Sequence, residues 1–139
     1  MKKLIFLALC ITFLNCDSNT FVNNCFRNVQ VNELIDFTQP VYQGLLVDGG
    51  SVTANNIDGR NIHIIRNTSS NYTAFDLQCP ERDCSSLMEI RGVLITCPCD
   101  QKSYNYLQGG RLIDGDENDC AMLVYNVTPL GSNAIQITN

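Results

Sequence analysis

Two short cysteine loops decide the fold of this chain: Cys79-Pro80-Glu81-Arg82-Asp83-Cys84 and Cys97-Pro98-Cys99-Asp100. Each loop follows a run of residues that is typical of a β-strand. Four sulfurs placed in this way can join the loops by disulfide bonds, or they can hold a metal centre. The function of the chain depends on which of these two roles the sulfurs have.

Short segments with alternating apolar residues surround the two loops. The first segment can place Val29, Val31, Ile35 and Phe37 on one strand face. Glu33 interrupts that face, which predicts a bulge or a strand end there. Further strands are predicted over 62–66, 72–77, 87–90, 93–97, 111–113, 121–127 and 134–138, with turns at Gly49-Gly50, Asp58-Gly59 and Arg91-Gly92. Many short strands without helical periodicity predict an all-β barrel or sandwich.

The residues around the loops resemble those of the Rieske family, whose two loops read approximately C-x-H-x-x-C and C-P-C-H-G-S. Segment 40–50 also resembles a group of bacterial lipoproteins that keep this fold with degenerate histidine ligands. The likeness spans about residues 62–137 and implies an all-β, Rieske-like antiparallel β-sandwich or partial barrel, in which the two cysteine loops form a small subdomain. Besides the cysteines, the matching segments are Tyr72-Thr73-Ala74-Phe75-Asp76, Leu94-Ile95-Thr96, Ser103-Tyr104-Asn105, Gly109-Gly110, Leu123-Val124-Tyr125-Asn126-Val127 and Ala134-Ile135-Gln136-Ile137.

By position, the resemblance implies that Cys79 and Cys97 match the two cysteine ligands of the family's iron–sulfur cluster. Glu81 and Asp100 stand where the family has its two histidine ligands. Gln101-Lys102 replaces the usual Gly-Ser, so the serine that hydrogen-bonds a cluster sulfide is also missing. The ligand set is therefore degenerate in two of its four members.

A cluster bound by two carboxylates would differ in charge and in reduction potential from a cluster bound by two imidazoles. In a Rieske cluster two histidines bind one iron and raise the reduction potential. Two carboxylates would instead add about two negative charges to an anionic centre and would lack the imidazole protons. The sequence therefore predicts no cofactor, with a 2Fe–2S cluster held by Cys79, Cys97, Glu81 and Asp100 as the alternative. Zinc bound by these residues or by four cysteines is a weaker alternative.

Disulfide bonds are the predicted state of the cysteines, because an even number of cysteines in an exported chain favours them. Each bond could stabilise the fold by about 2–4 kcal/mol. Six cysteines allow many pairings, so the connectivity rests on the resemblance and not on the spacing. The resemblance implies a bond between Cys84 and Cys99. Cys79 and Cys97 could form a second bond where no cluster is bound, and Cys25 and Cys120 would be left as a third pair.

The first residues indicate export and lipidation. Met1-Lys2-Lys3 is a basic start, and the apolar run 4–14 is too short to span a bilayer. Phe13-Leu14-Asn15-Cys16 resembles a lipobox, although the size of Asn15 leaves cleavage by an ordinary signal peptidase as an alternative. The prediction is a signal peptide over 1–15, a lipidated tether over 16–24 that begins at Cys16, and a Rieske-like domain over 25–139. An acylated Cys16 would anchor the chain in the lipid bilayer of a bacterial envelope, on its periplasmic or surface side.

Charge and side-chain chemistry exclude several function classes. The chain has 9 Lys and Arg residues against 14 Asp and Glu residues and a net charge of −5, with no basic cluster, so nucleic acid is not a predicted partner. Its one histidine, His63, is predicted at an exposed strand position. Since no nucleophile motif accompanies it, no enzyme is predicted. The acidic residues from Asp114 to Asp119 predict a solvated turn, and Tyr104 and Tyr106 are predicted to be core or cross-strand aromatics.

These observations predict a membrane-anchored envelope lipoprotein with a degenerate, cluster-free, disulfide-stapled Rieske-like domain. Its role would be structural or binding, with an unknown protein partner. The alternative is an electron-transfer protein with a 2Fe–2S cluster and atypical ligands, and a zinc-stabilised module is the weaker third hypothesis.

Overall fold

Short strands dominate the computed structural model, which describes residues 25–26, 28–81, 84–115 and 119–139. Within these residues, two short 3₁₀ helices, Pro40–Leu46 and Tyr106–Gln108, lie between strands. No helix within the described residues has the length and apolar character needed to cross a membrane. The strands are β1 (Asn32–Asp36), β2 (Ser51–Ile57), β3 (Arg60–Thr68), β4 (Asn71–Asp76), β5 (Glu89–Arg91), β6 (Leu94–Thr96), β7 (Ser103–Asn105), β8 (Arg111–Leu112), β9 (Val124–Pro129) and β10 (Ala134–Thr138).

The larger sheet contains six strands in the order β1-β10-β9-β4-β3-β2, and every neighbouring pair is antiparallel. The β2–β3 hairpin turns at Asp58 and Gly59, whose φ angles of 48° and 76° are both positive, as the tight two-residue hairpin turn requires. Apolar side chains of this sheet and of the first 3₁₀ helix form one core cluster: Val31, Ile35, Phe37, Leu45, Ala54, Ile57, Ile62, Ile64, Ala74, Tyr125, Ile135 and Ile137.

The smaller sheet contains four antiparallel strands in the order β5-β6-β7-β8. Gly92, at a φ of 63°, turns the chain between β5 and β6, where the sequence predicts a tight hairpin. A second core cluster joins this sheet to the larger one and includes three cysteines: Ile65, Phe75, Leu77, Cys79, Cys84, Met88, Ile95, Cys97, Tyr104 and Met122. The predicted all-β fold with a small cysteine-loop subdomain is therefore confirmed.

Several local predictions are corrected by the structure. Strand β2 was not predicted, because Asn55 and Asn56 break its alternation, and the register shifts between Ala54 and Ile57. The short strand β7 and both 3₁₀ helices also have too few residues for a periodic signal. At Glu33, where a bulge or a strand end is predicted, there is no bulge, since Glu33 pairs regularly with Ile137, but β1 begins one residue earlier, at Asn32.

The exposed position predicted for His63 is also wrong. His63 lies in β3 with only 6% of its surface exposed. Strand β3 lies between β2 and β4, and residues 62–65 are buried in succession, as occurs when both faces of a strand are covered. His63 Nδ1 is 3.2 Å from Thr53 Oγ1, and burial lowers the pKa of His63 below its usual value.

We expect His63→Gln to reduce the loss of stability that the protein suffers on mild acidification. A lowered pKa means that the unfolded chain binds the proton more readily than the folded chain. Above the usual pKa of 6.5, His63 is neutral in both states and does not change the free energy of unfolding with pH. As the pH falls from 6.5 towards the lowered pKa of the folded state, the free energy of unfolding decreases. Urea unfolding at about pH 7.5 and about pH 5.5 measures this. An equal loss of unfolding free energy in both proteins would contradict it.

Candidate cluster and disulfide site

Backbone hydrogen bonds close the base of each cysteine loop. The first loop follows β4, and its base is closed by the bridge between Gln78 and Leu87 and by the Met88 N–H, which donates to the Leu77 carbonyl at 2.8 Å. The second loop follows β6, and the Cys97 N–H donates to the Lys102 carbonyl at 2.9 Å. The two sheets thus hold both loops against the second core cluster.

Three disulfide bonds join the six cysteines that follow Cys16, and they include the Cys84–Cys99 bond that the resemblance implies. Two of these bonds link the first loop to the second, and the third links the start of the described chain to the segment that precedes β9. The Cα atoms are 5.6 Å apart in Cys79–Cys97, 5.8 Å apart in Cys84–Cys99 and 6.0 Å apart in Cys25–Cys120.

The sulfurs of the two loops form a compact group. The Sγ atoms of Cys79, Cys84 and Cys97 lie within 4.8 Å of one another. These residues are 1%, 3% and 0% exposed, respectively, whereas Cys99 is exposed. The two loop disulfides are therefore neighbours, and only one of their four cysteines is open to solvent.

Glu81 and Asp100, which the resemblance places at histidine positions, both contact Lys102. The Lys102 ammonium forms an ion pair with Glu81, while the Lys102 N–H donates to Asp100 Oδ1 at 2.9 Å. The hydrogen bond from Lys102 to Glu81 is the main cause that raises the pKa of Lys102. Among the described residues, neither carboxylate joins the three-sulfur group. Both side chains therefore have partners within the protein and are not gathered with the sulfurs as a ligand set.

The other predicted residues around the loops lie as follows. Tyr104 is 1% exposed in the second core cluster, which confirms its predicted core position. Its burial raises its pKa to about 12.

In the acidic turn, Asp114 is exposed, and Asp119 Oδ1 lies 3.7 Å from Lys102 Nζ. Residues 116–118 of that turn lie outside the described residues, as do the predicted signal peptide, Cys16 and the tether up to residue 24.

A buried polar cluster next to the first loop was not predicted. Asp76, at the end of β4, is 0% exposed. Its Oδ2 accepts hydrogen bonds from Arg60 Nε at 2.6 Å and from Tyr125 Oη at 2.5 Å, and its Oδ1 accepts one from the Gln78 N–H at 2.7 Å. Burial, followed by the contact with Asp76, raises the pKa of Tyr125. Arg60 and Tyr125 are far from Asp76 in sequence, so no local pattern could have indicated this cluster.

The comparison with protein families decides the family. The model of the Rieske 2Fe-2S domain matches residues 38–128. This chain belongs to the Rieske family. Among solved structures, one match is the crystal structure of the proposed small subunit of an NADH-dependent nitrite reductase from Mycobacterium tuberculosis. It has 19% identity over 81% of this chain and 97% of that chain, with a TM-score of 0.47. No curated protein matches the chain.

The donor set of this Rieske domain does not fit an ordinary Rieske cluster. Such a cluster needs two imidazoles on one iron, and the sequence contains one histidine. That residue, His63, lies in β3 beside Thr53 and not in either loop. Cys79 and Cys97 remain as sulfur donors of the right kind, but they are bonded to each other. The sequence therefore offers no second imidazole for such a cluster, and the two sulfurs that the resemblance implies as ligands are in a disulfide bond.

Proposed function

We propose that this chain is a lipoprotein of the bacterial envelope in which disulfide bonds, and not an ordinary Rieske cluster, join the two cysteine loops. The role of the domain is structural or binding, towards a protein partner, and not catalytic. The observation that carries this proposal is the Cys79–Cys97 bond, formed between the two positions that supply thiolates elsewhere in the family.

The contacts of the carboxylates support the same conclusion. A cluster in this site would require the Cys79–Cys97 bond to be broken and Glu81 to leave its ion pair with Lys102. Asp100 would have to give up the hydrogen bond that it accepts from the Lys102 backbone. The centre formed would carry about two more negative charges than one with imidazoles, which makes its reduction harder.

Disulfide mapping of the natural protein tests this proposal. The full-length protein is exported in a bacterial host, alkylated during lysis to block exchange, and digested without reduction. We expect a peptide pair linked through Cys79 and Cys97, with neither residue alkylated. Recovery of both residues as alkylated thiols, with Cys25–Cys120 intact in the same sample, would contradict it.

Electron transfer through a 2Fe–2S cluster with atypical ligands is the second candidate function. Membership of the Rieske family favours it more directly than it favours a structural role, and the grouping of three sulfurs within 4.8 Å agrees with it. Cys79, Cys97, Glu81 and Asp100 would hold the cluster, which would supply one-electron transfer. Visible absorption from protein isolated without reconstitution would favour this candidate, and colourless protein without free thiols would favour the first.

The membrane anchor is proposed from the sequence of residues 1–16. A basic start, a short apolar run and a following cysteine have the order of a lipoprotein signal. Acyl chains on Cys16 would contribute roughly 0.8 kcal/mol per buried methylene, which is enough for stable attachment when more than one chain is present.

We expect Cys16→Ala to abolish acylation of the mature N-terminus, because the substitution removes the only thiol at the lipobox position. Cys10→Ala is the matched control, since Cys10 lies inside the apolar run and would be removed with the signal peptide. Mass spectrometry of the N-terminal peptide distinguishes the variants. An acylated peptide from the natural protein and from Cys10→Ala, but not from Cys16→Ala, agrees with the proposal. An unmodified N-terminus in the natural protein would refute it.

A further inference from the structure

The two loop disulfides differ in their access to solvent. Cys99 is exposed, while its partner Cys84 and both members of Cys79–Cys97 are at most 3% exposed. Exchange begins when a thiolate attacks a disulfide sulfur, so its rate depends on access. A thiol from outside can therefore approach this pair of disulfides at Cys99 and is kept from the other three sulfurs.

The position of Cys84 connects the exposed disulfide to the buried one. Its sulfur lies within 4.8 Å of the sulfurs of both Cys79 and Cys97. If the bond to Cys99 is opened from outside, Cys84 becomes a thiolate next to an intact disulfide. Little chain movement is then needed for Cys84 to bond to a new partner.

The Arg60 side chain lies on the same cleft as Cys84. Both residues line a cleft of about 220 Å³ between β3 and the first loop, together with Gln78, Ser85 and Ser86. The Arg60 Nη2 atom is buried and has no hydrogen-bond partner within the described residues.

We propose that the two loop disulfides form a thiol–disulfide exchange relay that accepts two electrons from a dithiol reductant. The proposal rests on the proposed function, because it needs Cys79 and Cys97 to be bonded to each other and not to a cluster. The reductant attacks the exposed disulfide at Cys99. The released Cys84 then attacks the Cys79–Cys97 bond, so that one of these two buried cysteines ends as a thiol. It gives the two bonds a chemical role in addition to their structural one.

The exchange balances in three steps. A thiolate of the reductant attacks Cys99 Sγ, so that a mixed disulfide forms and Cys84 leaves as a thiolate. Cys84 then attacks one sulfur of Cys79–Cys97, forms a new disulfide with it, and releases the other sulfur as a thiolate. The second thiol of the reductant attacks its own sulfur in the mixed disulfide and releases Cys99. The reductant loses two electrons and two protons and becomes a disulfide, and the protein gains them as two thiols, Cys99 and one of Cys79 or Cys97.

A dithiothreitol pulse on the oxidised full-length protein tests the relay. The protein is exposed to about one equivalent of dithiothreitol, quenched with acid, labelled with N-ethylmaleimide and mapped without reduction. We expect label at Cys99 and at one of Cys79 or Cys97, with Cys84 in a new disulfide. Label at Cys84 and Cys99 alone would overturn the relay, because it would mean that the exposed bond is reduced without exchange.

The variant Cys84→Ser gives the matched comparison, since it removes the proposed nucleophile and leaves the buried bond in place. We expect labelling of Cys79 and Cys97 in this variant to be slower by roughly tenfold or more than in the natural protein. Equal labelling in a variant that keeps Cys25–Cys120 intact would also overturn the relay. A map that lacks Cys79–Cys97 before dithiothreitol is added would instead refute the proposed function, so the two failures are distinguishable.

Discussion

Replacing Glu81 and Asp100 together by histidine is expected to produce a protein that takes up a 2Fe–2S cluster under conditions in which the natural chain does not. The two substitutions restore imidazoles at the positions where the resemblance implies histidine ligands, on loops whose cysteine ligands are still present. They also remove the ion pair between Glu81 and Lys102 and the hydrogen bond to Asp100. Two neutral donors then replace two anionic ones at the second iron.

Anaerobic reconstitution with iron, sulfide and a thiol reductant measures this gain. We expect about two iron atoms per chain in the double variant, and only background iron in the natural protein treated in parallel. The matched control adds Cys97→Ser to the double variant, which should return iron to background because a cysteine ligand is lost. About two irons per chain and the same visible absorption in both proteins would show that the carboxylates suffice as ligands. Background iron in both would contradict the expected gain.

The second large effect is expected at Asp76. Asp76→Ala removes the acceptor shared by Arg60 and Tyr125 and leaves a guanidinium that is 18% exposed without its carboxylate. Breaking a buried ion pair by removing one partner costs about 3–5 kcal/mol. We therefore expect a loss of unfolding free energy of this size, measured by urea unfolding of the oxidised protein.

A surface ion pair provides the control for Asp76. Glu89 contacts Arg91 at 2.6 Å, but the two side chains are 54% and 71% exposed. Glu89→Ala should change the unfolding free energy by no more than about 0.5 kcal/mol, since solvent screens exposed pairs. Equal urea midpoints for Asp76→Ala and Glu89→Ala would contradict the stabilising contribution of the buried Asp76 cluster.

The parts of the fold that were predicted from the sequence depend on local patterns. Alternation over 134–138 matches β10, and the turn residues Asp58-Gly59 and Gly92 lie between paired strands. The cysteine loops were also predictable, because their spacing and flanking strands resemble a known family. In each case the signal lies within a few consecutive residues.

The parts that were missed depend on contacts between distant segments. Asp76 looked like an ordinary strand residue, because its partners Arg60 and Tyr125 come from β3 and β9. His63 looked exposed, because the sequence does not show that β3 lies in the interior of the sheet. The contact of Lys102 with Glu81 likewise depends on how the two loops meet. A single sequence contains no local signal for such placements.

The iron and labile sulfide content of the protein, isolated anaerobically from the envelope without reconstitution, shows whether the two loops hold a cluster. We expect only traces of both in a colourless protein, because Cys79 and Cys97 bond to each other and neither loop contains a histidine. About two irons and two sulfides per chain, with the magnetic resonance signal of a Rieske-type centre, would contradict it.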